Sequence, residues 1–294
     1  MKTIRTILLT ALAIGLGSGC ATNDLLSPAV TNAVPTVAAN NVPALPVGPV
    51  PGWQACRYSS CWDGKKAERR MMNLPSPHFS DAKVDQYLRW QKGRGATTTH
   101  LILCNNRDGE GGGYSIFGNG IDWTVDKAWA ARTLKIIKQA RSMGFSVVLW
   151  GLTDDDRGWN KAVLAQPDRY MQAIKAAGFL EHCSLFVAGL EMTEWGVSDA
   201  QVKAYIAAIR KVYPGKVAVH NNSDRYDYIQ HADAFMWQTS PDKSAAQITT
   251  LAKKAVAAAK GRPVWAFEVA RNPNRGLCEA AFKAHPLIWG CGNW

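Results

Sequence analysis

Eight short apolar runs, alternating with stretches of helical spacing, constrain this chain more than any other feature of its sequence. The runs fall at residues 54–59, 100–105, 146–151, 185–191, 216–220, 234–238, 263–269 and 286–290. Between them lie seven helical patterns, at 82–92, 126–143, 160–177, 199–212, 224–230, 243–260 and 277–284. Strands that alternate with helices run parallel, because each crossover returns the chain to the end of the sheet it started from. Ser198-Asp199 opens one helix and Pro214-Gly215 closes it, while Gly144 and Gly261 each stand just before a strand. An open doubly wound sheet and a closed barrel share this alternation. No G-x-G-x-x-G follows the first run, and polar and aromatic residues crowd the ends of nearly all runs, where a barrel assembles its site. The expectation is a single α/β domain, a (β/α)8 TIM barrel, over residues 52–294.

The composition ahead of residue 52 is different. Lys2 and Arg5 precede an apolar stretch from Ile7 to Leu16 and then small residues, the order of a secretory signal peptide over residues 1–19. The stretch is shorter than the roughly 20 apolar residues of a membrane span. Leu16-Gly17-Ser18-Gly19-Cys20 resembles the bacterial lipobox, with Gly17 where Leu is usual. That resemblance implies cleavage before Cys20 and lipidation of its thiol. With Ala21 following, it also implies a lipoprotein of the outer membrane, facing the periplasm or the cell surface. Residues 20–51 are nearly uncharged and carry Pro28, Pro35, Pro43, Pro46, Pro49 and Pro51, which suits an extended tether.

Export bears on the cysteines and on the charge. Besides Cys20 there are Cys56, Cys61, Cys104, Cys183, Cys278 and Cys291, enough for three disulfides, with 56–61 and 278–291 as local pairs. No C-x-x-C or clustered Cys/His spacing occurs, so neither a metal nor a cofactor is expected. Removing Lys2 and Arg5 with the signal lowers the formal charge from +11 to +9. The remaining Lys and Arg are scattered over the helical patterns without a compact run interleaved with aromatics, which argues against nucleic acid as a partner.

The run ends supply Asn105 and Arg107, then Trp150 and Asp154, Glu191 and Glu194, His220 and Asn221, Trp237 and Gln238, and finally Glu268 and Arg271. Indoles that stack on apolar sugar faces, among amides and charges that pair with hydroxyls, point to a carbohydrate. For His220 a hydrogen-bonded core role is the alternative, and Trp150, Trp237 and Trp289 could simply cap the barrel. Asp154-Asp155-Asp156 lacks the Gly and Glu spacing of a calcium loop and reads as solvated. The glycine-rich residues 109–113 lack the Lys-Ser/Thr of a phosphate loop and read as a lid.

Two segments sharpen this. Leu185-Phe-Val-Ala-Gly-Leu-Glu191-Met-Thr-Glu194-Trp195 resembles the fourth-strand motif of the cellulase-like clan of retaining glycoside hydrolases, in which an Asn-Glu pair carries the general acid/base. Gly261-Arg-Pro-Val-Trp-Ala-Phe-Glu268 resembles the seventh-strand motif of that clan, which ends on the nucleophile. The resemblance implies Glu194 as acid/base and Glu268 as nucleophile, with Thr193 where the clan has Asn. Strand parity instead favours Glu191, in phase with Gly189 and Val187, and points Glu268 inward with Ala266 and Val264 while Trp265 and Phe267 face the helices. The implied activity is glycosidic hydrolysis of a poly- or oligosaccharide by two carboxyls, about 5 Å apart for retention. The alternatives are an inactive lipoprotein that binds glycan or a host surface, for which the missing Asn speaks, and a peptidoglycan hydrolase, which suits a basic protein anchored in the periplasm.

Overall fold

The computed structural model describes residues 80–93, 98–105, 114–115, 117, 122–152, 158–221, 225–239, 243–266, 280–281, 283–285 and 287–291, all within one compact unit, Ala44–Trp294. The signal, Cys20, the tether, the run at 54–59, Cys56, Cys61, Arg107, residues 109–113, Asp154, Glu268, Arg271 and Cys278 lie outside these residues, as do the side chains of Asn105, Trp289 and Cys291. Helix α1 (Asp81–Gly93) leads into β1 (Thr98–Ile102), followed by the short strands β2 (Cys104–Asn105) and β3 (Tyr114–Ser115). Then come α2 (Lys127–Ser142), β4 (Ser146–Leu152), α3 (Trp159–Ala165), α4 (Pro167–Ala176), β5 (Leu185–Gly189), α5 (Asp199–Val212) and β6 (Val217–Asn221). The chain continues through β7 (Ala234–Trp237), α6 (Ala245–Ala259), β8 (Val264–Ala266) and β9 (Ile288–Cys291).

Local chemistry explains most of the boundaries. Ser198 and Gln201 form a reciprocal capping box at the start of α5, and Ser244 and Gln247 do the same for α6. The helix expected over 160–177 is two helices. Gln166 closes α3 and Pro167 opens α4, because a proline has no N–H to give and disfavours a helical residue before it. Where a helix is expected over 224–230, the described residues 225–231 form a turn ending in a 3-10 segment, Ile229–His231, with Tyr228 in the left-handed region at φ 67°. The second apolar run also divides. Leu103 N still bonds to Trp150 O at 3.1 Å, after which β2 leaves the sheet and pairs antiparallel with β3.

The principal sheet has seven parallel strands in the order β1-β4-β5-β6-β7-β8-β9. The order follows the chain without reversal. A doubly wound sheet reverses at a switch point, so this is the singly wound connectivity of barrels. The two faces bury different partners. Val147, Leu149, Phe186, Ala188, Val217, Val219, Phe235, Val264 and Ala266 share a cluster with helix residues such as Ile136, Ile209 and Ala252. Their neighbours Val148, Trp150, Leu185, Val187, Ala218, Ala234, Met236 and Trp265 form a separate cluster, with Ile102 and Leu190 packed against it. A flat sheet could not bury a face in this way, so the sheet curls around it. His100 on β1 confirms the curl: its ring lies edge-on to Trp265 on β8 with centroids 5.5 Å apart, although four strands separate β1 from β8 in the ladder. Trp265 therefore faces inward while Val264 and Ala266 face the helices, the reverse of the parity expected from sequence.

Two fully buried histidines complete the inner layer. The Trp150 indole N–H donates to His100 Nδ1 at 3.0 Å, and the same indole stands edge-on to His220 at 5.2 Å. An imidazole nitrogen that accepts cannot carry the proton, so His100 is neutral and protonated on Nε2. Burial pulls both imidazoles down to about 3, and for His220 the neighbouring His100 adds to the lowering. A histidine whose folded pKa lies below its unfolded value of 6.5 stabilises the fold fully above pH 6.5 and loses that contribution as pH falls toward 3. Each costs about 1.4 kcal/mol per pH unit in that window, so acidification from pH 7 to 5 should cost on the order of 4 kcal/mol for the pair. Chemical denaturation across this range should show that slope in the wild type and about half of it in His100→Asn. Stability flat between pH 7 and 5 would contradict the neutral pair.

Candidate active site

The rim of the curled sheet at the C-terminal strand ends holds the sequence's two candidate acids, Glu191 and Glu194, on one turn. Strand β5 ends at Gly189 because the chain must pass close to β4: a Cβ there would lie 2.9 Å from both Leu152 Cβ and Met192 Cγ. Leu190 N then bonds to Leu152 O at 3.1 Å, which ties the start of the turn to β4. Glu191 takes a left-handed conformation at φ 45°, so the alternation of strand faces ends before it and parity no longer decides where its side chain goes. Its N–H donates to His220 Nδ1 at 3.1 Å, an acceptor supplied by β6.

The rest of the turn is closed from within and from below. Glu194 N bonds to Glu191 O at 2.8 Å and Val197 N to Met192 O at 3.2 Å, with Gly196 at φ 65°. Met192 and Val197 are buried and anchor the turn in the helix-side core. The Tyr228 hydroxyl donates to Val197 O. Thr193 Oγ1 lies 3.3 Å from Asn221 Oδ1, whose amide nitrogen donates to Asp227 O at 2.8 Å. Tethered on these sides, the turn presents Glu194 and Trp195 to solvent and leaves Glu191 half-buried behind them. Trp195 is 39% exposed, the large hydrophobic left most open among the described residues.

Several expected binding residues turn out to be supports. Trp150 is enclosed in the inner layer between two imidazoles and offers no face to a sugar ring. Trp237 is fully buried on the helix side of β7, so the stacking role expected for it is not met. His220 and Asn221 are fully buried too, and both act on the turn above them. Gln238 is half-buried at the end of β7, with its N–H bonded to Asn221 O at 3.1 Å. Cys183 is a free thiol, enclosed enough that burial pushes its pKa up to about 12, so the six cysteines cannot form three pairs. Sequence reasoning passed over His100 and the Thr193–Asn221 contact. The first could have been found by noting a polar residue at an inward position of an apolar run. The second depends on the conformation of the turn and has no sequence signal.

No protein-family model matches the sequence, and no curated protein does. Solved structures do resemble the fold. A family 113 β-mannanase from Alicyclobacillus acidocaldarius aligns with a TM-score of 0.52 at 15% identity, covering 82% of this chain and 86% of that one. A family 5 glycoside hydrolase from Prevotella bryantii aligns at 0.53 and 11% identity over 70% and 77% of the two chains. An exo-β-1,4-mannosidase from an Opitutaceae bacterium aligns at 0.55 and 14% identity over 81% and 51%. These three are glycoside hydrolases, and at 11–15% identity the likeness to this chain is one of fold.

Proposed function

We propose that the chain is a barrel glycoside hydrolase that cleaves glycosidic bonds in a poly- or oligosaccharide by double displacement. The observation that carries this reading is the tethered turn at the end of β5, which exposes Glu194 on the rim where barrel enzymes do their chemistry. The fold neighbours support it. In this reading the curled sheet closes as an eight-stranded barrel. Glu268, two residues beyond β8, is the nucleophile. Its carboxylate attacks the anomeric carbon as the glycosidic C–O bond breaks, and the Glu194 carboxyl gives its proton to the departing oxygen. Water then attacks the glycosyl ester, passes a proton to Glu194 and frees Glu268.

A second reading, an inactive glycan-binding module, is favoured by one observation. Thr193 replaces the clan's Asn, and its hydroxyl is turned to the buried Asn221. Hydrolysis across a panel of β-mannans, β-glucans and purified peptidoglycan separates the two. The hydrolase reading expects turnover that falls about 10²–10⁴-fold in Glu194→Gln and to background in Glu268→Gln. Binding without turnover in all three proteins would establish the module instead, and turnover of peptidoglycan alone would redirect the assignment to cell-wall hydrolysis.

We further propose that the protein is exported and held to a membrane by lipid on Cys20, with residues 21–51 as its tether; the signal and lipobox order of the N-terminus supports this. Mass spectrometry of the mature protein should find acyl chains on an N-terminal Cys20. An intact or unacylated N-terminus would contradict the anchor.

A further inference from the structure

We infer that His220 is a positioning residue for the candidate acid, setting the aim of Glu194 through the backbone of the turn. The inference rests on the hydrolase reading for its catalytic consequence, but its structural core stands on contacts in the inner layer. A non-glycine residue keeps a left-handed conformation only where its surroundings impose it, and Glu191 at φ 45° is such a residue. Its N–H donates to His220 Nδ1 at 3.1 Å, a bond that favours this conformation. The C=O of the same residue receives the Glu194 N–H at 2.8 Å, so the group that orients Glu191 also orients the backbone from which Glu194 projects.

The acceptor is itself fixed. His220 is fully buried on β6, and its ring stands edge-on to Trp150, which is held in turn by its bond to His100 Nδ1. Three strands, β1, β4 and β6, therefore brace one nitrogen at the height of the turn. Only an imidazole with Nδ1 unprotonated can accept there, which fixes the proton on Nε2. An apolar side chain in its place would take the acceptor from the Glu191 N–H and weaken the hold on its left-handed conformation. His220 is fully buried, and its bond to Glu191 carries its effect to the rim through the backbone of the turn.

The test uses ¹⁵N-labelled full-length chain with two variants, His220→Leu, which removes the acceptor, and His220→Asn, whose Oδ1 restores one near the position of Nδ1. NMR should detect scalar coupling across the hydrogen bond between the Glu191 amide nitrogen and His220 Nδ1. Amide exchange at residues 193–196 should rise about tenfold in His220→Leu, the size of one lost hydrogen bond, and return close to wild type in His220→Asn. Kinetics with phenyl and dinitrophenyl β-mannosides and β-glucosides supply the functional readout. A phenyl leaving group needs the proton from Glu194, and its kcat/KM should fall about 100-fold in His220→Leu through misplacement of the acid. The dinitrophenyl substrate needs no proton and should change by less than about threefold. Absence of the coupling, unchanged exchange in His220→Leu, or equal loss on both substrates would overturn the inference. If exchange responds as expected while the wild type hydrolyses neither substrate, the positioning role stands and the hydrolase reading falls.

Discussion

The indole of Trp150 lies between two imidazoles, and the curl of the sheet closes around that contact. Its N–H is bonded to His100 on β1, its edge meets His220 on β6, and Trp265 on β8 reaches His100 from the far side of the ladder. These rings are too large to pack against a flat sheet without leaving voids. Once they share one enclosed layer, strands far apart in the ladder must approach each other. The layer tolerates polar nitrogens because the pairing is neutral, an indole donor to an imidazole acceptor, and burial of a neutral pair costs far less than burial of a charge. Ala218, Ala234, Val148, Val187, Leu185 and Met236 fill the inner face around the rings.

The same layer reaches the rim. His220 is at once a member of the core and the acceptor for the first amide of the turn that carries Glu194. Asn221, its neighbour in sequence, points to the other face of β6 and steadies Thr193. Adjacent residues of one strand thus hold one turn from two sides, and Gly189 lets that turn fold down against β4. Three of the side chains that sequence alone offered as sugar contacts, Trp150, His220 and Asn221, form this foundation, while the exposed groups above it are Glu194 and Trp195.

Much of the fold was legible because it rests on periodicity. The apolar runs at 146–151, 216–220 and 234–238 match β4, β6 and β7 to within a residue or two, and the cap at Ser198 fixes the start of α5. The inward and outward sides of β8 were misread because both alternating sets are apolar in a strand buried on both faces. Residue type there carries no polarity signal, and only the packing of Trp265 with His100 decides it. The role of Trp237 was misread for a related reason: an indole at a strand end looks the same in sequence whether it faces a helix or a ligand. Parity also failed at Glu191, since it assumes extended backbone and the strand has already ended there. The carboxylates themselves were legible as residues, whereas the supports that hold one of them were not, because a backbone amide held by an imidazole leaves no mark on composition or spacing.

The proposed function has this fold carry out covalent glycosidic chemistry with Glu268 as nucleophile. The most direct measurement is to incubate the protein with activated 2-deoxy-2-fluoro glycosides of gluco and manno configuration, digest it, and locate any added mass. Retaining chemistry predicts a stable glycosyl ester on the peptide containing Glu268, absent in Glu268→Gln. Labelling of a different carboxylate, or none in a protein that still binds the glycan, would contradict it.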